Sequence, residues 1–182
     1  RLGALTSGPG WQMISGDASR CYPGRLTRFI RTLCLLPPDR VIIRDVIECV
    51  APSHLEWLLH YAGAVRDAGA ATIVEHQGVT LAVTPFLPGR EFGWRVSDVV
   101  RTSEYPDAEY HVVNRKSIRY RSFAPFRSMA SAEFLFGLQV GGAGAADWSF
   151  QGGAEGWFLQ GVGDDRRVTP DGEGLRIERT GG

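Results

Sequence analysis

Four histidines (His54, His60, His76 and His111), three cysteines and 20 acidic residues are the groups in this 182-residue sequence suited to binding metal or moving protons. The histidines stand six or more positions apart, and none falls in the Cys-x-x-Cys or His-Glu-x-x-His spacing that gathers ligands locally. On an extended strand His54 and His60 would share a face yet lie about 20 Å apart at ~3.3 Å per residue, too far to chelate one ion. No metal site is therefore expected from this chain alone. No Ser-His-Asp arrangement is evident, and Gly141-Gly142-Ala143-Gly144 lacks the Lys-Ser/Thr ending of a phosphate loop. Arg119 and Arg121 are two positions apart, so a strand places both guanidinium forks on one face, a geometry suited to sulfate or carboxylate. The plainer reading of that pair is a solvated strand face. Trp94, Trp148 and Trp157 could stack on sugar rings or simply fill a core. Asp17, between Gly16 and Arg20, reads as a turn acid with a local ion pair. Asp45, set beside Arg44 among apolar residues, needs a partner if buried.

The length suits one well-buried domain over residues 1–182, and two full domains would be cramped. Hydrophobic content of 43% and charged content of 22% exclude a disordered chain and a charged coiled coil. The charge-free stretches Leu2–Gly16 and Phe134–Ala146 are too short, polar and Gly-rich to cross a membrane as helices. A formal net charge of zero argues against a general nucleic-acid binder. The charges are unevenly placed, however. Tyr110–Ala132 holds Arg115, Lys116, Arg119, Arg121 and Arg127 with no acid, and Ser19–Arg44 holds six arginines against Asp39 alone. Such blocks can receive an anionic polymer or can neutralise acids elsewhere in the fold. The sequence begins at Arg1 with neither a Met nor a signal-like apolar run, and so reads as cut at its N-terminus.

The elements that must position these residues read as antiparallel strands. Leu26–Leu36 and Val41–Val50 flank Pro37-Pro38-Asp39-Arg40, where tandem prolines forbid a helix, so a hairpin is expected. Pairing Leu36 with Val41 would set Cys34 against Ile43 and Cys49 against Arg28, leaving the two thiols distant, buried and free. Apolar residues on both faces of these strands place them centrally in a layered sheet. A second hairpin, Ala71–Pro85, turns at Gln77-Gly78, with Thr72, Val74, Leu81 and Val83 on one face. Further strands are expected at Glu91–Ser97, Tyr110–Asn114, Ser117–Phe123, Ala132–Gln139, Gly156–Gly161 and Leu175–Arg179. The segment His54–Tyr61 carries a capping-box pattern, Ser53-His54-Leu55-Glu56, and also a strand alternation of Leu55, Trp57, Leu59 and Tyr61 against His54, Glu56, Leu58 and His60; the strand is chosen. The fold class expected is an all-β antiparallel sandwich with little or no helix.

Gly16-Asp17-Ala18, Cys21-Tyr22-Pro23, Arg28-Phe29-Ile30-Arg31-Thr32-Leu33, Pro38–Asp45 and Leu55-Glu56-Trp57-Leu58-Leu59-His60 follow one another in an order that resembles the C-terminal half of heparinase II/III-like polysaccharide lyases. The match is weaker through Val79–Pro88 and Glu133–Phe136. The resemblance implies a supersandwich-like β-sandwich that follows a helical toroid, and makes the chain a C-terminal fragment of a longer lyase.

Lyases of this kind cleave uronate-containing polysaccharides by β-elimination. A base removes the proton α to the carboxylate, and the site must neutralise the carboxylate and protonate the leaving oxygen. In the family the catalytic Tyr and one His come from the toroid, and a second His lies near a His-Asn-Thr motif. Here the one Asn, Asn114, lies in His111-Val112-Val113-Asn114 and matches neither that motif nor its place. The resemblance therefore implies no catalytic residue and no cofactor in this chain, though it admits a metal ion in the full-length enzyme. Its implied partners are the N-terminal helical toroid and an acidic polysaccharide, with His60, Arg119 and Arg121 as the candidate substrate-binding residues. The chain alone is expected to be inactive. The alternatives are a non-catalytic module that binds acidic glycans and a purely structural sandwich. A periplasmic or secreted setting is implied by the lyase resemblance, and a cytoplasmic one by the unpaired cysteines.

Overall fold

The computed structural model describes residues 1–87, 94–107, 112–141, 149–153, 156–160, 165–172 and 174–180, with the side chains of 87, 94–95, 101–107, 112–118 and 149–160 left aside. Fifteen strands and one 3-10 turn, Ser19–Cys21, make up the described secondary structure. In chain order the strands are β1 (Thr6–Gly8), β2 (Trp11–Asp17), β3 (Leu26–Leu36), β4 (Arg40–Ser53), β5 (Trp57–His60), β6 (Ala64–Ala68), β7 (Ala71–His76) and β8 (Val79–Leu87). They continue as β9 (Trp94–Asp107), β10 (Val112–Pro125), β11 (Met129–Gly141), β12 (Ser149–Gly153), β13 (Gly156–Gln160), β14 (Arg166–Asp171) and β15 (Gly174–Arg179).

All pairings are antiparallel and form three sheets. A central eight-stranded sheet runs β1-β2-β3-β4-β11-β8-β7-β6, a three-stranded sheet runs β5-β10-β9, and a four-stranded sheet runs β12-β13-β14-β15. The central sheet buries side chains on both faces. On one face Cys34, Leu36, Ile42 and Leu135 meet Val168, Leu175 and Ile177 of the four-stranded sheet. On the other, Ile47, Phe134 and Phe136 meet Trp57, Leu59 and Phe123 of the three-stranded sheet. Fully burying each of these large apolar side chains contributes about 1.5–3 kcal/mol, so the two interfaces hold the layers together. Two-sided burial explains the continuous apolar run of β4, whereas β3 buries the face of Ile30, Cys34 and Leu36 and leaves Leu33 and Leu35 exposed on the other, contrary to the expectation that both faces of β3 are covered.

The β7–β8 hairpin is as expected: His76 pairs with Val79, Val74 with Leu81 and Thr72 with Val83. Gln77 and Gly78 both have positive φ, 50° and 79°, as a two-residue turn joining right-twisted strands requires.

The β3–β4 register differs from expectation by one residue. Leu36 pairs with Arg40 and Cys34 with Ile42, because the connection closes over three residues, Pro37–Asp39, instead of four. A one-residue slip exchanges the faces of a strand. Asp45 thus lies opposite Arg31 and Arg44 opposite Thr32, while Cys49 lies opposite Leu26, past an irregularity between Leu26 and Arg28. All three cysteines are free: Cys34 buried, Cys49 half-buried and Cys21 exposed. Burial pushes the Cys34 thiol up to about 12.

The segment expected as a strand over His54–Tyr61 joins the ladder only at Trp57–His60, opposite Tyr120–Phe123. Its alternation is as expected, with Trp57 and Leu59 buried and Leu58 and His60 exposed. The two short strands expected at Tyr110–Asn114 and Ser117–Phe123 are one continuous β10. The polar Arg115-Lys116 pair does not interrupt it, since a ladder needs only backbone donors and acceptors.

Candidate functional site

Arg121, Arg119 and His60 fall on the three-stranded sheet, and the structure separates them. His60 is exposed, with its ring 5.5 Å from that of Tyr120 opposite. Strand alternation puts it on the face away from the two arginines. Arg119 is exposed, and its carbonyl accepts the Tyr61 N–H at 3.2 Å. Arg121 is buried. Its Nε and Nη2 donate to the two Asp98 carboxylate oxygens at 2.8 Å each, and Nη1 donates to Thr72 Oγ1 at 2.8 Å and to Asp67. The Arg121 fork therefore clips the three-stranded sheet to β6 and β7 and is not turned to solvent with Arg119. Of the other sequence candidates, His111 and Trp148 lie outside the described residues, and the side chains of Trp94 and Trp157 are not described. Asp17 binds its own turn, accepting from the Ser19 N–H at 2.8 Å and Ser19 Oγ at 2.5 Å, so its main partner is Ser19 and not Arg20.

A groove of about 410 Å³ opens where the residues after the 3-10 turn and the start of β3 approach the residues joining β4 to β5. Tyr22, Arg25, Phe29 and Arg31 contribute to one side, Ser53, His54, Leu55, Glu56 and Trp57 to the other, with Asp45, Ile47 and Phe134 from the central sheet between them. Local chemistry holds the first side in place. Ser19 Oγ accepts the Phe29 N–H at 2.8 Å, tying the turn to β3, and the Tyr22 and Phe29 rings meet at 5.9 Å.

Arg31 and Asp45 are held as a fork. Arg31 Nε donates to Asp45 Oδ1 at 2.7 Å and Nη2 to Oδ2 at 2.6 Å. The Asp45 side chain is 2% exposed and that of Arg31 45%, so the acid is sealed in while the guanidinium still reaches solvent. The bonds to Asp45 hold the Arg31 guanidinium above its ordinary pKa. Its charge centre lies 5.7 Å from the Phe29 ring, a further restraint on its position.

Trp57 is fixed by stacking on Phe136 at 3.8 Å and by an edge contact with Phe123 at 5.8 Å. Its indole N–H is buried and has no hydrogen-bond partner among the described residues. Glu56 accepts from Ser122 Oγ at 3.0 Å. Tyr22, Arg25, His54 and Glu56 are exposed, and Arg25 has no acidic partner among the described residues. The groove thus offers two guanidinium groups, one preset by a buried acid, across from a carboxylate and an imidazole, with aromatic rings between. No cluster of three or more His, Cys, Asp or Glu that could hold a metal ion occurs among the described residues.

The fold and this groove define an all-β, three-layer antiparallel sandwich with a polar, aromatic-lined cleft at one sheet interface. Comparison with solved structures gives that sandwich its relatives. The chain matches heparan sulfate lyase HepC from Pedobacter heparinus over 99% of its own length and 27% of that chain, with a TM-score of 0.63 and 10% identity. It also matches a heparinase III over 100% of its own length and 26% of that chain, with a TM-score of 0.62 and 9% identity. At such identities the likeness is one of fold, and the chain spans about a quarter of the length of these structures. No family model and no curated protein matches the sequence.

Proposed function

We propose that this chain is the C-terminal sandwich domain of a heparinase II/III-like polysaccharide lyase, packing on a helical toroid and forming one wall of the cleft in which a uronate-containing chain is cleaved by β-elimination. The observation that carries this reading is the fold likeness to heparinase III along the whole of the chain, against only about a quarter of that longer protein. The order of short motifs from Gly16 to His60 supports the same family from the sequence side. A surface for a packed partner is also available. Leu33 and Leu35, both 40% exposed, sit on the face of the central sheet that the three-stranded sheet covers only in part. β-Elimination needs a base, a carboxylate-neutralising group and a proton donor in one place. His60, Arg119 and Arg121, the sequence candidates, do not converge on one point, which favours a wall of the cleft over its catalytic centre.

The test is reconstitution. This chain joined to the helical region of such a lyase is expected to release unsaturated uronate product from heparan sulfate, read by ultraviolet absorbance, whereas the 182-residue chain alone is expected to release none. Turnover by the chain alone, or undiminished turnover by the helical region without it, overturns the reading.

A further inference from the structure

We infer that the groove beside Arg31 is itself a binding subsite for a carboxylate-bearing sugar ring, with Arg25 and Arg31 receiving the carboxylate and Glu56 receiving ring hydroxyls. The inference rests on the lyase reading for the substrate class, but its geometry stands by itself. Asp45 consumes Nε and Nη2 of Arg31. Nη1 is left over on a half-exposed guanidinium whose orientation is already fixed. A preset donor loses little entropy when a ligand binds, and a guanidinium is matched to a carboxylate. Arg25 adds a second exposed guanidinium with no acidic partner among the described residues. A wholly anionic ligand would meet Glu56 across the groove and be repelled. A sugar acid suits both sides: its carboxylate faces the arginines, while its hydroxyls donate to Glu56. Tyr22, 46% exposed, presents a ring for the apolar face of the sugar. A volume of about 410 Å³ falls within the usual range of about 300–1,000 Å³ for small-ligand pockets.

The experiment titrates the 182-residue chain with an unsulfated glucuronate-containing tetrasaccharide, its carboxyl-reduced counterpart and inorganic sulfate, by calorimetry and by the indole N–H signals of the five tryptophans in NMR. The Trp57 signal is assigned with Trp57→Phe. The tetrasaccharide is expected to bind and to move the Trp57 signal. Carboxyl reduction and Arg25→Ala are each expected to weaken binding about tenfold or more, the scale of one charge-assisted contact. Arg176→Ala, at an exposed arginine of the four-stranded sheet, should leave binding unchanged. Arg25 is exposed, so its variant should melt as the parent does, which separates lost binding from lost folding. Absence of binding at millimolar ligand, equal binding of the reduced sugar, equal binding of sulfate alone, or full affinity in Arg25→Ala overturns the inference. The titration needs no turnover, so an inactive fusion with intact binding counts against the lyase reading alone.

Discussion

Arg121 gives two guanidinium nitrogens to Asp98, and the third bonds Thr72 and Asp67, whereas Arg119, on the same strand face, lies exposed. An alternation pattern assigns both to one face but does not say which part of that face another sheet covers. The cost of the difference falls on Asp98. The bonds from Arg121, with a further one from the Tyr61 hydroxyl, hold its carboxyl below the ordinary 3.8. A carboxylate whose folded pKa is depressed stabilises the fold fully above its unfolded pKa, and loses that contribution as the pH falls through the folded value. Asp98 is 45% exposed, so screening keeps the effect small. Asp98→Asn is expected to lower stability by about 1 kcal/mol at neutral pH. The gap to the parent should close as acid protonates Asp98 below 3.8, as followed by urea unfolding across a pH series.

At the scale of elements, the turn between β5 and β6 leaves the least room for a side chain among the described glycines. Gly63 has φ of 90°, and a Cβ there would lie 2.1 Å from the Glu75 carbonyl oxygen, inside any real contact. Both the left-handed backbone and the close approach require glycine. Gly63→Ala is expected to destabilise by roughly 2 kcal/mol or more, with the loss visible first as faster amide exchange in β6 and β7. Local chemistry made some elements legible in the sequence and hid others. Gln77-Gly78 announces its hairpin because few dipeptides accept two positive φ angles. The Pro37-Pro38 pair announces a turn but not its length, and one residue there decides whether Val46 or Asp45 lies opposite Arg31. The short strands β1, β6, β12 and β14 carry too few apolar residues to reveal a period. The groove was hidden for a different reason. Its parts come from residues 22–31, 45–58 and 134, each ordinary in its own neighbourhood, and the one available signal was the excess of arginine over acid in Ser19–Arg44.

In the whole molecule the layers are joined by polar clips as well as by apolar contact. Arg44, with 6% of its side chain exposed, donates to Glu133 at 2.6 Å and to the carbonyls of Gly172 and Gly174 at 3.2 and 2.7 Å. It ties the β14–β15 turn to the centre of the eight-stranded sheet. Truncation to Ala removes a buried guanidinium and its bonds to Glu133, Gly172 and Gly174, acceptors that solvent still reaches, and is expected to cost about 1.5–3 kcal/mol in thermal or denaturant unfolding. Amide exchange should rise in β14 and β15 before it rises in β7 and β8. The central sheet ends on one side at the three-residue β1 and on the other at the five-residue β6, which carries Arg66 and Asp67. A short edge and a charged edge give an incoming strand little backbone to pair with. The central sheet thus resists growth by strand addition at its own two edges, and a partner that meets this sheet comes to a face, where side chains rather than backbone choose it.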